Sequence, residues 1–190
     1  MGNFKFINTL IKDLYIIEPL VFEDSRGYFL ETYSRRAFNE MNIKTTFVQD
    51  NESKSKKGVL RGLHFQSNYP QGKLVRVVRG TLFDVAVDLR KGSPTFGKWE
   101  SFILSEDNMR QLYIPEGFAH GFLVLSDEVL FSYKCTNFYR PEYDSGIIWS
   151  DPTLDIIWPV DEVEEIILSD KDKEQKKFNE TNSPFAYEEE

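Results

Sequence analysis

Residues 74–89, LVRVVRGTLFDVAVDL, decide the fold class because they read as two short β-strands separated by a glycine. Both halves are rich in valine and leucine, and Gly80 interrupts them as a turn residue does. Comparable short apolar segments, ending at Gly, Pro, Asp or Asn, recur at 45–49, 59–66, 99–104, 110–114, 121–125 and 129–136. With little helical pattern between them, the sequence predicts an antiparallel sandwich or barrel.

The first 60 residues predict a hairpin, a short helix and a loop. An apolar run at 14–22 crosses Pro19, which suits an edge strand, and residues 24–27, DSRG, have turn chemistry. Residues 34–41 combine a capping Ser34 with an apolar helical face. The polar, lysine-bearing stretch 51–58 reads as a loop.

Length and charge limit the possible functions. At 190 residues the chain fits one domain, for which we expect residues 1–180, followed by a mobile acidic tail at 181–190. A formal net charge of −8 disfavours nucleic acid and anionic membranes as main partners. No run of eighteen apolar residues and no secretion signal is present, so we expect a cytoplasmic protein.

Residues 59–66, VLRGLHFQ, place one of the two histidines of the chain close to an arginine. The imidazole of His64 can exchange protons near neutral pH, and Arg61 can hold a phosphate or carboxylate. A packed core histidine is the alternative. Strict alternation would put Arg61 and His64 on opposite faces of a strand, so a shared pocket requires an irregularity such as a bulge near Gly62.

A second motif, residues 115–120, PEGFAH, fits the second half of the cupin signature. Metallocupins place two histidines one residue apart and a glutamate shortly after in the first half, where this chain reads His64-Phe65-Gln66. Transition-metal sites generally have three protein ligands or more. We therefore expect a cupin barrel without metal.

Several segments together resemble the dTDP-4-dehydrorhamnose 3,5-epimerases of nucleotide-sugar biosynthesis. The matching segments are 24–31 DSRGYFLE, 49–51 QDN, 60–66 LRGLHFQ, 71–77 QGKLVRV, 85–90 VAVDLR, 114–122 IPEGFAHGF, 133–135 YKC and 168–172 LSDKD. The resemblance implies an all-β, cupin-type jelly-roll barrel with a few short helices. It also implies a homodimer that needs no cofactor and acts on a dTDP-4-keto-6-deoxyhexose, in dTDP-L-rhamnose biosynthesis.

The resemblance implies four catalytic residues. His64 is the base that removes a proton next to the C4 ketone, Tyr133 is the acid that returns one to the other face, and Lys73 stabilises the enolate oxygen. Asp172 orients His64, although Ser169 and Asp172 are also spaced like a helix cap. Without the family, Tyr133 reads equally as a core aromatic and Lys73 as a solvated lysine.

Further residues are implied in substrate binding. Arg61 would hold the diphosphate, His120 would contact substrate, and Arg26 and Glu31 would reach into the pocket of the neighbouring subunit. The remaining implied contacts are Gln49, Asn51, Tyr139, Asp144 and Lys171. Asp84, a carboxylate within a strand, competes with Asp172 as the partner of His64 or Lys73, and the sequence leaves that choice open.

Other functions remain open at this point. Relatives that invert only C3 or only C5, or that move the ketone from C4 to C3, would share the base. A metallocupin oxygenase or isomerase and a non-catalytic sugar-nucleotide-binding cupin are alternatives from other classes.

Overall fold

Thirteen β-strands and two short α-helices form the secondary structure of residues 2–188, the part of the chain that the computed structural model describes. The strands are β1 Phe4–Asn8, β2 Tyr15–Pro19, β3 Val21–Asp24, β4 Gly27–Leu30, β5 Gln49–Lys56, β6 Leu60–Gln66, β7 Lys73–Arg79, β8 Thr81–Asp88, β9 Trp99–Ser105, β10 Gln111–Ile114, β11 Phe118–Val124, β12 Glu128–Cys135 and β13 Asp144–Gly146. The helices are α1 Arg35–Glu40 and α2 Asp170–Lys173, and single 3₁₀ turns lie at Pro141–Tyr143, Val160–Glu162 and Phe178–Glu180.

Two antiparallel sheets face each other across the barrel. The six-stranded sheet has the order β1-β2-β10-β7-β12-β5, and the five-stranded sheet has the order β13-β6-β11-β8-β9. Strands β9 to β12 alternate between the two sheets along the chain, as in a jelly roll. The all-β, cupin-type prediction is confirmed. The hairpin β3-β4 is a separate two-stranded sheet.

Period-2 alternation divides the apolar residues among three clusters. The main core lies between the sheets and includes Val75, Leu82, Phe122 and Phe131. The outer face of the five-stranded sheet is covered by the C-terminal part of the chain through residues such as Trp158.

The outer face of the six-stranded sheet is covered by α1. Phe38 on this helix is 1% exposed and packs with Ile17 and Leu74. Its ring meets those of Phe6 and Tyr33 edge-on, at centroid distances of 5.2 and 5.0 Å. The helix predicted over 34–41 is therefore present and lies on the sheet.

The prediction of a loop at 51–58 is wrong, because most of these residues belong to β5. This strand pairs antiparallel with β12 over its whole length, from Gln49 opposite Cys135 to Lys56 opposite Glu128. It is one of the two edge strands of its sheet, with alternate side chains in solvent. Pairing with β12 satisfies the backbone groups on one side of β5 and holds the strand in the sheet, although its sequence lacks the apolar alternation typical of strands.

The C-terminal segment lies against the barrel. Ser183 is 3% exposed and its hydroxyl donates to the carbonyl of Leu89, while the backbone N–H of Tyr187 donates to the carbonyl of Lys91 at 2.9 Å. This placement differs from the mobile tail predicted for 181–190. The last two positions of that tail, 189 and 190, lie outside the described residues. Within 2–188, no helix combines the length and the apolar character that a membrane crossing requires.

Candidate active site

One end of the barrel opens into a cavity of about 320 Å³ that is lined by predicted catalytic residues. Strands β6 and β12 end there, and β5, β7 and β11 begin there. His64, Lys73 and Tyr133 line this cavity and also a second one of about 140 Å³, whose further lining includes Arg61, His120 and the core residues Phe122 and Phe131. The three side chains therefore stand where the two cavities meet. We name them the outer and the inner cavity.

An irregularity in β6 brings Arg61 and His64 to the same side. On β11, His120 lies opposite His64 and Phe122 opposite Arg61, so three steps on β6 match two on β11. Gly62 lies at this point with φ +114, and a Cβ there would approach the Gly121 Cα to 2.5 Å. The predicted bulge is present, and only glycine fits it.

His64 is held by a carboxylate from 108 residues away. Its Nε2 lies 2.5 Å from Oδ1 of Asp172, and the backbone N–H of Gly62 donates to the same oxygen at 3.3 Å. The Ser169 hydroxyl donates to the other oxygen at 2.6 Å and accepts from the Asp172 backbone N–H. Asp172 therefore contacts His64 and belongs to the helix cap as well. Burial tends to raise the pKa of Asp172, but hydrogen bonds from His64 and Ser169 outweigh it and lower that pKa.

The second histidine has its own carboxylate. His120 Nε2 lies 2.9 Å from Asp84 Oδ2, and the two side chains are 7% and 0% exposed. Burial lowers the pKa of His120, with Asp84 acting in the opposite direction. Of the two carboxylates that the sequence offered to His64, the structure places Asp172 beside it and Asp84 beside His120.

Lys73 and Tyr133 face the cavity from neighbouring strands. Tyr133 shares the inward face of β12 with Phe131 and Cys135, as alternation predicted. Lys73 is on β7 and pairs with Cys135 of β12. Burial lowers the pKa of Lys73 and raises that of Tyr133. The phenol therefore keeps its proton at neutral pH.

Polar side chains from three elements surround the mouth. Asn51 is on β5 and pairs with Tyr133 of β12. The Gln49 side-chain amide donates to Oδ1 of Asn51 at 3.0 Å. The Tyr139 hydroxyl donates to Asp144 Oδ2 at 2.7 Å, and Lys171 donates to the same atom. The hydrogen bond to Asp144 is the main cause that raises the pKa of Tyr139 to about 12. All these residues line the outer cavity.

Arg26 and Glu31 are not brought to this cavity within one chain. Arg26 sits at the tip of the hairpin β3-β4 and pairs with Asp24 at 2.5 Å, with its side chain 88% exposed. Glu31 accepts a hydrogen bond from Asn3 at 3.0 Å. Neither residue belongs to the lining of the outer or the inner cavity.

Several lining residues were missed from the sequence. Gln66, Gln71 and Phe118 lie inside segments that carried the family resemblance, so that resemblance was the signal available for them. Phe185 comes from the predicted tail, and no motif marked it. Ser53 lines the inner cavity from the strand that was taken for a loop.

The arrangement can move protons next to an activated carbon. It combines a carboxylate-backed imidazole, a protonated phenol and a lysine around one space, with an arginine beyond them. Within residues 2–188, no cluster of three or more His, Cys, Asp or Glu side chains is arranged to bind a metal ion. The fold and the site define an acid–base isomerase of the cupin type.

The family profile described as dTDP-4-dehydrorhamnose 3,5-epimerase matches residues 8–180, and the chain belongs to this family. The enzyme of that name from Methanothermobacter thermautotrophicus is 57% identical over 180 residues, which cover 95% of this chain and 97% of the relative. The one from Shigella flexneri is 58% identical over 174 residues, covering 90% and 94%.

A solved structure has the same fold. The dTDP-6-deoxy-D-glucose-3,5-epimerase from Legionella pneumophila, in complex with dTDP-4-keto-L-rhamnose, superimposes with a TM-score of 0.94 at 50% identity. The match covers 98% of this chain and 100% of the other.

Proposed function

We propose that this protein inverts C3 and C5 of a dTDP-4-keto-6-deoxyhexose, in the supply of dTDP-L-rhamnose. The observation that carries the proposal is that His64, Lys73 and Tyr133 line one cavity while Asp172 backs His64 at 2.5 Å. Relatives with 57% and 58% identity bear the name of this activity. A cavity of about 320 Å³ suits a hexose.

Each inversion is a proton transfer in two steps. The C–H bond next to the C4 carbonyl breaks, its proton goes to the imidazole of His64, and its electron pair forms an enolate. The ammonium of Lys73 stabilises the enolate oxygen. The Tyr133 hydroxyl then gives its proton to the opposite face of the carbon. Before the next inversion, water takes the proton from the imidazolium and returns one to the phenolate. No electrons leave the substrate, so no oxidant and no redox cofactor takes part.

The remaining polar residues hold the nucleotide-sugar. Arg61 takes the diphosphate, since its guanidinium faces the inner cavity and hydrogen-bonds to the Ser55 hydroxyl at 3.2 and 3.3 Å. His120 contacts the substrate as a neutral hydrogen-bonding group, because burial lowers its pKa. Gln49, Asn51, Tyr139, Asp144 and Lys171 form the mouth of the site.

We further propose a homodimer in which Arg26 and Glu31 complete the site of the partner subunit. The hairpin β3-β4 supports this arrangement, because Phe22, Tyr28 and Phe29 on it are 49%, 56% and 68% exposed. An exposed apolar patch of this kind favours burial against another surface. We also propose a cytoplasmic location, where nucleoside diphosphate sugars are made, and cell fractionation tests it.

Deuterium exchange tests the activity. In heavy water, the product should carry deuterium at both C3 and C5, as read by NMR. Incorporation at one carbon only would indicate a single epimerase, and none at either carbon would contradict an epimerase.

Tyr133→Phe tests the two-face mechanism in the same assay. It should retain deuterium exchange, because His64 remains, but lose inversion. Tyr113→Phe is the matched control, since Tyr113 is a buried phenol on β10 of the same sheet and does not line either cavity. Normal inversion in Tyr133→Phe would remove Tyr133 from the role of acid.

Mixing two inactive variants tests the shared site. Arg26→Ala and His64→Ala should each be inactive alone. Hybrid dimers contain one intact site, so a mixed, re-equilibrated sample should regain about a quarter of wild-type activity. No recovery in a sample shown to contain hybrids would contradict the sharing of residues.

A further inference from the structure

The C-terminal residues 183–187, which we name the strap, form part of the wall of the outer cavity. Phe185 on the strap lines that cavity together with Phe118 and Gly117. The Phe185 ring packs edge-on against Phe65, the neighbour of His64, at a centroid distance of 5.8 Å. One side of the mouth is therefore apolar, whereas the other carries Tyr139, Asp144 and Lys171.

The strap is fixed by several contacts. The Lys91 backbone N–H donates to the Phe185 carbonyl at 2.9 Å, and the Phe185 N–H donates to the Ser183 hydroxyl at 3.3 Å. A parallel bridge joins Lys91 to Ala186. These bonds set the position of Phe185 relative to β8 and the segment that follows it.

Arg90 joins the strap to the cavity wall. Its guanidinium lies over the rings of Phe118 and Tyr187, at 4.7 and 5.2 Å from their centroids. Asp88 holds it with hydrogen bonds of 3.0 and 2.9 Å, and both side chains are nearly fully buried. Strap, arginine and wall thus form one packed unit.

The charges indicate which part of the substrate meets this wall. Within residues 2–188, the hydrogen bonds of the Arg61 side chain go to the Ser55 hydroxyl alone, so its charge is available to an anion in the inner cavity. Lys171 in the outer cavity already pairs with Asp144. A diphosphate is therefore favoured beside Arg61, which directs the sugar past His64, Lys73 and Tyr133 into the outer cavity.

We propose that Phe185 is a specificity-determining residue whose ring contacts the C6 methyl group of the 6-deoxy sugar. This inference rests on the proposed function. The methyl group is the apolar substituent of the hexose, and it is attached to C5, one of the two reacting carbons. An aromatic wall at the mouth stabilises a methyl group and disfavours the hydroxymethyl group of a sugar that is not deoxygenated.

Binding measurements with three stable probes test the proposal: dTDP-6-deoxyglucose, dTDP-glucose and dTDP. By calorimetry, the wild-type protein should prefer the 6-deoxy sugar over dTDP-glucose by at least about fourfold, the effect of burying one methyl group. Phe185→Ala should bring the two affinities close to equality and leave the affinity for dTDP unchanged. Phe185→Leu should keep the preference, because an apolar wall remains.

Phe178→Ala is the matched control, since Phe178 belongs to the same apolar cluster but lies outside the lining of both cavities. It should keep the wild-type preference. If Phe185→Ala does not fold, Phe185→Tyr replaces it and should reduce the preference by placing a hydroxyl at the wall.

Two results would overturn the inference. One is a wild-type preference retained in Phe185→Ala or, if that variant does not fold, in Phe185→Tyr. The other is an equal loss of affinity for all three probes, which would place the ring on the nucleotide. Deuterium exchange by the wild-type preparation separates this inference from the proposed function. If the wild-type protein exchanges no deuterium into the keto-sugar, the proposed function is wrong. If it does exchange deuterium, the preference between the two sugars tests the role of Phe185.

Discussion

The two histidine–carboxylate pairs lie opposite each other on adjacent strands and differ in their access to the cavity. His64 and His120 face each other across the β6-β11 ladder, and each imidazole contacts one aspartate. The His64 side chain is 31% exposed, whereas that of His120 is 7% exposed. The same residue types thus produce a partly exposed imidazole that can exchange protons with a substrate and a nearly buried imidazole that lines the inner cavity.

The carboxylates differ as well. Asp84 extends from β8, within the same sheet, and its pairing with His120 is a local feature of that sheet. Asp172 arrives from α2, where Ser169 fixes it through the helix cap. Because the hydrogen bonds of the helix cap restrict the Asp172 side chain, its carboxylate is held in one orientation toward His64.

The largest expected effect separates the two imidazoles. His64→Ala should lower kcat by about 10²–10⁴-fold, the usual contribution of a positioned base. His120→Ala should lower it less and should raise KM, because His120 contacts the substrate without removing a proton. Steady-state kinetics on the keto-sugar measures both values, and equal losses in kcat would break the distinction.

A smaller effect should separate the two carboxylates. Asp172→Asn should lower kcat by roughly 10²-fold through misorientation of His64, while the protein stays folded. Asp170→Asn, on the exposed side of the same helix, is the control. Asp84→Ala should act on folding, costing about 1–3 kcal/mol by leaving the buried His120 without a partner. A denaturant titration of the three variants measures their free energies of unfolding, and steady-state kinetics measures kcat. A normal kcat in Asp172→Asn would contradict the different roles assigned to the two carboxylates.

The bulge that aligns the two pairs can be tested through Gly62. In Gly62→Ala, the new methyl group would meet the Gly121 Cα at 2.5 Å and the His120 carbonyl oxygen at 2.6 Å. We expect a loss of about 1–3 kcal/mol in the free energy of unfolding. Gly92→Ala is a control for positive φ without crowding, because nothing lies within 4 Å of its added Cβ. Equal losses in the two variants would show that contact with β11 has no role.

The smallest expected effect is on acid stability. Since the pKa of Asp172 is lowered in the folded state, its ionisation favours folding above its unfolded pKa, and this contribution is lost as pH falls through the folded value. Asp172→Asn should therefore flatten the acid side of the stability curve, whereas Asp170→Asn should not. Thermal unfolding between pH 7 and acid, at constant ionic strength, measures the slope. An unchanged slope in Asp172→Asn would contradict the lowered pKa.

The sequence was informative where apolar alternation set the structure. The strands that became β7, β8 and β12 were readable because most of their buried residues are apolar and because glycine or polar residues separate the strands. β5 was misread because its inward residues, Gln49, Asn51 and Ser53, line the cavities and are polar. The functional role of that strand removed the signal by which strands are recognised.

The alternation of apolar and polar residues could not predict contacts between residues that are far apart in the sequence. Alternation predicted the inward direction of Tyr133, and the family resemblance supplied Asp172. The choice between Asp84 and Asp172 depended on where the short helix α2 docks, with Asp172 standing 108 residues after His64. Phe185 was assigned to a mobile tail because that segment is short and acidic, whereas its place is fixed by backbone bonds to Lys91.

The most direct test of the cavity-facing base is chemical rescue of His64→Ala, with solvent deuterium exchange at C3 and C5 as the readout. Without added base, we expect exchange to fall to background. Imidazole added to the solution should restore part of it, because removal of the side chain opens space beside Asp172 at the cavity. Exchange at the wild-type rate without imidazole would contradict the account, since another group would then be removing the protons.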